Sequence, residues 1–374
     1  MAKTTALVHF NHKMVDGKVA WNDLGTTDFR PNYGDMLVCA ALLQHLGPAA
    51  AEAGETRMMF GQPARPADVA LVRGSTYVHK NFDYRKAMKT LEGFDCPIAI
   101  IGLGAQSQQN DPTFLDDNAD ARDFVACLNE RSKSISVRGA FTAEVLTRLG
   151  AQNIRVTGCP SLFYSCAVPS VTLPGLLDTP ERRLGVSLHT GLRGSIYCRD
   201  PAKAREKHVQ ALVHAIEGSS KAGFFEQGVK LEFDLADHRL PFEARMAAAR
   251  EVLAHIGGEG ALSPEQVIAH TVSVRSIDDW LSKVRDVDAM VGFRFHGNMV
   301  GLLQGLPCYY WTYDSRLKEF CELYKLPYSD VAEEWVDPVR AMLDHDWDAA
   351  NAAFATCHAE LKACYAENGI ETVL

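Results

Sequence analysis

Short, wholly apolar segments that lead directly into glycine or polar residues recur along this 374-residue chain. Residues 69–72 lead into Arg73-Gly74-Ser75, and residues 97–101 lead into the segment that contains Gly104 and Gln106. A strand that is buried on both faces needs such a continuous apolar run, as in a parallel sheet covered by helices. The pattern predicts an α/β protein whose ligand-binding residues follow the carboxyl ends of its strands.

The pattern occurs on both sides of a segment rich in proline and glycine, residues 167–181, which is typical of a linker. We predict an N-terminal Rossmann-like βαβ domain over residues 1–166 and a C-terminal one over residues 182–335. A helical segment is predicted over residues 336–374. The two domains are expected to face each other across a cleft.

Several local predictions follow from the same periodicity. Residues 11–30 are polar and poorly periodic, which indicates a loop, and residues 229–235 alternate polar and apolar positions, which indicates a strand. Helices are predicted over residues 202–222, 242–256 and 277–285. No strand end carries G-x-G-x-x-G, so the fingerprint of a nicotinamide-dinucleotide site is not supported.

Composition and charge exclude several classes of function. The formal charge of −9 argues against a nucleic-acid-binding protein, which normally has a basic face. No apolar run approaches the roughly 20 residues of a membrane span, and residues 1–10 favour a first strand over a signal peptide. We therefore expect a cytoplasmic protein, with peripheral membrane association left open. Because C-x-x-C and H-E-x-x-H are absent, we predict no metal site.

The turn between the strand at residues 287–293 and the following helix contains Arg294 and His296. A helix that begins at such a turn directs free backbone N–H groups at an anion. The guanidinium adds a forked cationic donor, and the imidazole adds a group that exchanges protons near neutral pH. The segment predicts anion binding coupled to proton transfer. Arg138, which follows residues 134–137, predicts a second cation at an equivalent strand end in the other domain.

Four segments together resemble the polysaccharide pyruvyl transferase family. They are Asn32-Tyr33-Gly34-Asp35, Ile135-Ser136-Val137-Arg138, Arg294-Phe295-His296-Gly297 and Tyr313-Asp314-Ser315-Arg316. The resemblance implies a fold similar to that of the GT-B glycosyltransferases. It also implies that a pyruvyl group moves from phosphoenolpyruvate to two hydroxyls of a sugar, forming a ketal and releasing phosphate. The acceptor would be a surface polysaccharide or its lipid-linked or nucleotide-linked precursor, and no cofactor beyond the donor is expected.

The resemblance implies that Arg138, Arg294 and His296 are the donor-site residues. We assign His296 as the principal acid and base, and the two arginines as ligands of the phosphate and the carboxylate. The candidate substrate-binding residues are Asn32, Gly34, Asp35, Gly74, Ser75, Gly104, Gln106 and Arg316. The chain departs from the family at Cys159, Arg316 and Arg73, where members often have an acidic residue, a lysine and a glycine. The roles of His189, Arg193 and Arg73 stay open.

Two other functions remain as alternatives. One is a GT-B-type glycosyltransferase that uses a nucleotide sugar, but no obvious acidic partner for a ribose follows Leu188. The other is a non-catalytic sugar- or phosphate-binding protein, against which the intact Arg294 and His296 pair counts. The residues also have structural alternatives, since His296 could pack at the start of its helix and Asp35 could organise a turn.

Overall fold

The computed structural model describes residues 4–10, 13–15, 18–20 and 32–374. Its strands are β1 (Thr5–Val8), β2 (Lys13–Val15), β3 (Lys18–Ala20), β4 (Val69–Arg73), β5 (Ile98–Ile101), β6 (Ile135–Val137), β7 (Ile154–Val156), β8 (Arg183–Ser187), β9 (Lys221–Phe225), β10 (Thr271–Val272), β11 (Ala289–Gly292), β12 (Cys308–Thr312) and β13 (Tyr328–Asp330).

The α-helices of the same residues alternate with these strands. They are α1 (Tyr33–Leu46), α2 (Ala49–Glu55), α3 (Tyr84–Leu91), α4 (Ala119–Arg131), α5 (Ala140–Arg148), α6 (Pro201–Gly218), α7 (Lys230–Ala236), α8 (Phe242–Ile256), α9 (Pro264–His270), α10 (Ile277–Val284), α11 (Phe295–Leu303), α12 (Ser315–Leu323), α13 (Pro338–Leu343) and α14 (Trp347–Glu367). Two short 3₁₀ helices cover Pro160–Phe163 and Thr190–Gly194. None of the helices described is long and apolar enough to cross a membrane.

Two groups of parallel strands form the framework. In the first half of the chain, β1, β4 and β5 form one sheet, and a bridge between Leu103 and Val137 connects it to the parallel pair β6–β7. In the second half, six parallel strands lie in the order β10-β9-β8-β11-β12-β13. Strands β4 and β5 are buried along their whole length, as their apolar sequences require. The predicted α/β class is confirmed, whereas the predicted domain boundaries stay a prediction.

Three local predictions are wrong. Residues 229–235 are not a strand but lie largely in α7, where Glu232, Phe233 and Leu235 are all buried. The alternation of polar and apolar residues over 229–235 was expected to mark the exposed and buried faces of a strand. It does not, because the polar residue Glu232 is buried together with its apolar neighbours. The helix predicted to residue 222 ends at Gly218, and β9 follows. The loop predicted over residues 11–30 contains the antiparallel pair β2–β3, while its other residues lie outside those described.

Glycine explains why β9 was missed. Gly223 of β9 lies opposite Gly185 of β8 in the sheet. A Cβ on Gly185 would be 2.2 Å from the sulfur of Met290 and 3.0 Å from the Phe225 ring, so this position has room only for glycine. Glycine is depleted in strands, and its presence lowers the strand signal of the sequence.

Hydrogen bonds join the two halves where their strands end. The Tyr33 hydroxyl, in α1, donates to the Glu226 carboxylate and to the Val274 carbonyl, both at 3.2 Å. On the other side of the junction, Gln106 Nε2 donates to Asp314 Oδ2 at 2.7 Å. The carboxyl ends of strands from both sheets therefore meet at one junction, which contains most of the residues singled out from the sequence.

Candidate functional site

His296 lies at the centre of this junction. It occupies the first turn of α11 and is only 9% exposed. The ring packs against the start of α1, since a Cβ on Gly34 would be 2.3 Å from His296 Nδ1. Asn32 caps α1 by accepting hydrogen bonds from the Gly34 and Asp35 amides. Gly34 and Asn32 were both predicted to bind substrate. Gly34 also leaves room for the imidazole against α1, and Asn32 caps that helix.

The surroundings of His296 hold the ring neutral. Burial and the Arg138 guanidinium lower the pKa of His296 well below its usual value, and Arg316 and Arg73 add to this effect. The Asp35 carboxylate opposes them but does not compensate. A bound anion would offset the arginines and raise the pKa of His296. The protonation of His296 is therefore expected to depend on whether an anion is bound.

Arg73 is paired within the protein. Its side chain is buried, Nη1 lies 2.9 Å from Asp35 Oδ1, and Nε donates to the His9 carbonyl. Ser75 Oγ also donates to Asp35 Oδ1, at 3.1 Å. Burial raises the pKa of Asp35, but the Arg73 and Arg138 guanidinium groups and the hydrogen bond from Ser75 lower it, and the net shift is downwards. Asp35 is thus an ionised counterion of Arg73, and it leaves the other two arginines near His296 available for a ligand.

Arg138 is positioned by two glycines that the sequence analysis proposed as substrate-binding residues. Its Nε donates to the Gly102 carbonyl at 2.8 Å, and its Nη2 lies 3.4 Å from the Gly74 carbonyl. A Cβ on Gly104 would be 2.9 Å from Arg138 Cδ, so glycine is needed there to make room for the arginine. Gly74 and Gly104 therefore shape the site through Arg138.

Arg316 approaches from the second half of the chain. Its guanidinium carbon lies 5.9 Å from the centre of the Phe295 ring, and that of Arg138 lies 5.7 Å from the same ring. Nη2 of Arg316 makes only long contacts, at 3.5 Å, with the Asp314 carboxylate and the Tyr313 hydroxyl. Its Nε is buried and has no hydrogen-bond partner within the described residues. Because an unpaired buried donor is costly, Arg316 is well suited to a ligand that satisfies it.

Arg294 has a different environment. Its Nε donates to the Leu188 carbonyl and its Nη2 to the fully buried Glu232 carboxylate. Glu232 also accepts hydrogen bonds from the amide and hydroxyl of Thr190 and from the Gln227 amide. The guanidinium is thus held by a close internal ion pair, whereas the ion pair of Arg316 with Asp314 is long, at 3.5 Å. The role of Arg294 in donor binding stays a prediction.

Tyr313 is a hydrogen-bond donor next to Arg316. The Gly191 amide donates to His189 Nδ1 at 3.2 Å, so the hydrogen of the neutral imidazole is on Nε2, 3.4 Å from the Tyr313 oxygen. Burial keeps His189 neutral by lowering its pKa well below the usual value. Since Arg316 also donates to that oxygen, the phenolic hydrogen is free to point elsewhere. His189, whose role the sequence left open, thus orients Tyr313.

Sequence reasoning missed two charged residues here, Glu232 and Glu319. Glu319 lies on α12 and is buried, and its carboxylate accepts hydrogen bonds from the amide and hydroxyl of Thr142. Burial raises the pKa of Glu319 to about 8, although these bonds and Arg138 lower it. A single glutamate in an amphipathic helix carries no sequence signal that distinguishes it from a solvated one.

Glu319 makes stability depend on pH in a definite direction. Its pKa is raised from 4.5 to about 8 in the folded protein, so the folded state binds more protons than the unfolded state between these values. The free energy of unfolding must therefore fall as pH rises through that window, by up to about 4 kcal/mol. Glu319→Gln removes this contribution, so the variant should gain stability over wild type as pH rises from 5 to 8.

Urea denaturation at pH 5, 6.5 and 8 measures the effect. Glu322→Gln is the matched control, because it makes the same change at an exposed position of the same helix. Equal pH profiles for Glu319→Gln and wild type would contradict the buried, protonated carboxyl.

The structure brings His296, Arg138, Arg316, Asp35 and Ser75 together, and Gln106 borders them through Asp314.

Among solved structures, similarities with low scores extend over most of the chain. UDP-GlcNAc 2-epimerase from Methanocaldococcus jannaschii, in complex with UDP-GlcNAc and UDP, has a TM-score of 0.41 at 11% identity, over 75% of this chain and 70% of that one. Anabaena Alr3699/HepE, in complex with UDP-glucose, has a TM-score of 0.43 at 9% identity, over 98% and 97% of the two chains. The glycosyltransferase SnogD from Streptomyces nogalater has a TM-score of 0.32 at 14% identity, over 88% and 77%. All three scores are below 0.5, so these similarities say nothing about this chain's substrates.

The sequence itself gives the family. A comparison with curated proteins found no match. The polysaccharide pyruvyl transferase family matches residues 32–315, from the cap of α1 to the first residue of α12. This range includes Arg138, Arg294 and His296, and Arg316 lies one residue beyond it. The match extends over well more than half of the chain, and the chain belongs to the polysaccharide pyruvyl transferase family.

Proposed function

We propose that the protein transfers a pyruvyl group from phosphoenolpyruvate to two hydroxyls of a sugar in a surface polysaccharide or its precursor. The proposal is supported by one observation above all: Arg138 and Arg316 lie near a neutral His296 at one junction. The donor has a carboxylate and a phosphate, and each is bound best by a forked cationic group. The proposal places the reaction in the cytoplasm and requires no cofactor beyond the donor.

The arginines would hold the two anionic ends of the donor. Arg138 is fixed by backbone carbonyls through one edge of its guanidinium, which leaves other N–H groups for a ligand. Arg316 has a buried Nε without a partner in the described part of the chain, and the phenolic hydrogen of Tyr313 lies beside it. These groups are donors near His296 and would suit an anion with several acceptor oxygens.

The reaction would begin with transfer of a proton to the methylene carbon of phosphoenolpyruvate. That carbon becomes a methyl group, and the neighbouring carbon becomes cationic. One sugar hydroxyl attacks the cationic carbon and loses its proton, and phosphate leaves with the electrons of its carbon–oxygen bond. The second hydroxyl then attacks the same carbon and completes the ketal. Of the two hydroxyl protons, one replaces the proton used for the methyl group and the other leaves with phosphate.

The proposal assigns the movement of these protons to His296. In the ligand-free site it is neutral because burial and the arginines lower its pKa. Phosphoenolpyruvate would bring negative charge to the same arginines, and His296 could then take up a proton and deliver it. The imidazole that remains is a base for the attacking hydroxyl. Donor binding and proton loading are thus coupled through charge.

The proposal is tested by phosphate release and by donor binding. Purified protein is incubated with phosphoenolpyruvate and a panel of lipid-linked and nucleotide-linked sugars, and free phosphate is measured. Arg138→Lys keeps the charge but loses the fork, and we expect its affinity for phosphoenolpyruvate in calorimetry to fall about tenfold or more. Arg148→Lys, at an exposed position of α5 that pairs with Asp116, is the matched control.

Two results would contradict the proposal. One is turnover of a nucleotide sugar in the absence of phosphoenolpyruvate, which would favour a glycosyltransferase. The other is an affinity for phosphoenolpyruvate that is the same in Arg138→Lys as in wild type.

A further inference from the structure

A cleft beside the donor site is lined by residues from both halves of the chain. We call it the amide cleft, because Asn81, Gln106, Gln108 and Gln109 line it together with the rings of Phe114 and Tyr197. Its volume of about 340 Å³ falls within the roughly 300–1,000 Å³ of small-molecule sites. Only Gln106 among these residues was singled out by the sequence analysis.

The amide cleft adjoins Arg316. Gln106 Nε2 donates to Asp314 Oδ2 at 2.7 Å, and the same carboxylate oxygen lies 3.5 Å from Arg316 Nη2. Tyr197 also lines the cleft; burial raises its pKa, and the Arg316 guanidinium lowers it. A molecule in the cleft would therefore lie next to the group proposed to bind the donor.

The base of the amide cleft is held in place from both halves. The Ser107 amide donates to Ser315 Oγ at 2.9 Å, and the Ser315 amide donates back to the Ser107 carbonyl at 3.3 Å. The Phe114 ring lies parallel to that of Phe141, with centres 6.3 Å apart. The Tyr197 ring meets His79 edge-on at 6.0 Å. The cleft is thus formed before any ligand arrives.

The lining matches the chemistry of a neutral sugar ring. Gln106 lines the cleft and uses Nε2 to donate to Asp314, so its side-chain oxygen is the atom of that amide left to accept a hydrogen bond. Asn81 and Gln108 are exposed in the wall of the cleft, so their side-chain amides are accessible to a ligand. Amides both donate to and accept from hydroxyls, and the aromatic faces offer apolar area to the C–H side of a pyranose. One lysine and one aspartate, Lys80 and Asp111, leave the wall without a strong net charge.

We propose that the amide cleft binds a neutral pyranosyl unit of the acceptor, with the two hydroxyls that form the ketal directed towards Arg316 and His296. This assignment rests on the proposed pyruvyl transfer and names the acceptor subsite for it. A nucleoside diphosphate matches the charge of this wall less well, since it would bring several negative charges to a surface with one lysine.

Binding can be measured without knowing the natural acceptor. The probes are methyl pyranosides of glucose, galactose and mannose and of their 2-acetamido forms, observed by saturation-transfer NMR with the full-length protein. We expect wild type to transfer saturation to the ring protons of at least one probe. Combined replacement of Asn81 and Gln108 by alanine should weaken that binding about tenfold or more. Gln210→Ala, at an exposed position of α6, removes an amide elsewhere and should bind as wild type does.

Donor binding is measured in parallel to separate this assignment from the proposed function. Loss of sugar binding in the Asn81 and Gln108 variant, with affinity for phosphoenolpyruvate unchanged, supports the amide cleft. Sugar binding that persists in this variant overturns it, and so does wild type that binds none of the probes. Phosphate release from phosphoenolpyruvate would in both cases still support the transferase. If the sugar binds through the cleft but phosphoenolpyruvate does not bind at all, the result supports sugar binding in the amide cleft and contradicts the proposed pyruvyl transfer.

Discussion

Replacing His296 with glutamine is expected to lower kcat about a thousandfold, which is typical for the loss of a general acid and base. Glutamine keeps a polar side chain of similar reach, but it cannot carry a proton. The ring is buried against Gly34 and lies 3.8 Å from Cys159 Sγ, so it has no easy substitute in its position. Because the arginines are untouched, phosphoenolpyruvate should still bind. The split between lost turnover and retained donor binding is the signature of a proton carrier.

Phosphate release and calorimetry with phosphoenolpyruvate measure the two sides of this prediction. His238→Gln is the matched control, since His238 is exposed in the loop before α8. A His296→Gln variant with more than about a tenth of the wild-type kcat would remove the acid and base role, because general catalysis contributes far more than that.

Replacing Glu232 with glutamine is expected to cost about 3–5 kcal/mol of stability, the range observed when one partner of a buried ion pair is removed. Glu232 is fully buried and neutralises Arg294 while it accepts hydrogen bonds from Thr190 and Gln227. Glutamine leaves the guanidinium without its counterion and turns an amide donor towards groups that already donate. Urea denaturation at pH 7 measures the loss.

The matched control lies on the same helix. Asp234 pairs with Lys230 at the surface, one turn apart, and Asp234→Asn should change the stability by no more than about 0.5 kcal/mol. Wild-type stability of Glu232→Gln would contradict the account of a buried, hydrogen-bonded ion pair with Arg294.

The buried parallel strands could be predicted because their sequences carry the constraint themselves. Strands β4, β5 and β11 were found within two residues of their predicted positions, since each must be apolar on both faces. Strand β9 could not be found in this way. Its sequence, Lys221-Ala222-Gly223-Phe224-Phe225, has no β-branched residue, and a Cβ on its glycine would lie 3.1 Å from the Phe225 ring and 3.3 Å from the Val272 side chain. The contact with Val272, on the neighbouring strand β10, exists only once the sheet has formed.

The sequence motifs placed His296, Arg138 and Arg316 after strand ends, and the structure brings these three residues near one another. Their roles stay predictions. What each of the smaller residues does could not be read from the sequence. Gly74 and Gly104 position Arg138, and the sequence does not show which carbonyl or which space an arginine will use. The direction of Arg294 was also hidden, because its partner Glu232 lies in a helix that the sequence indicated as a strand.

The parallel order of the second sheet has a consequence for how the protein folds. Its two central strands, β8 and β11, are joined by hydrogen bonds such as that from the Arg183 amide to Asp288 Oδ2, between residues 105 positions apart. No hairpin can start such a sheet, and closing a long loop costs entropy before the contact returns any stability. His296 follows β11 directly. The arrangement of the candidate site is therefore completed only by long-range pairing, after the strand at Ala289–Gly292 has been made and inserted.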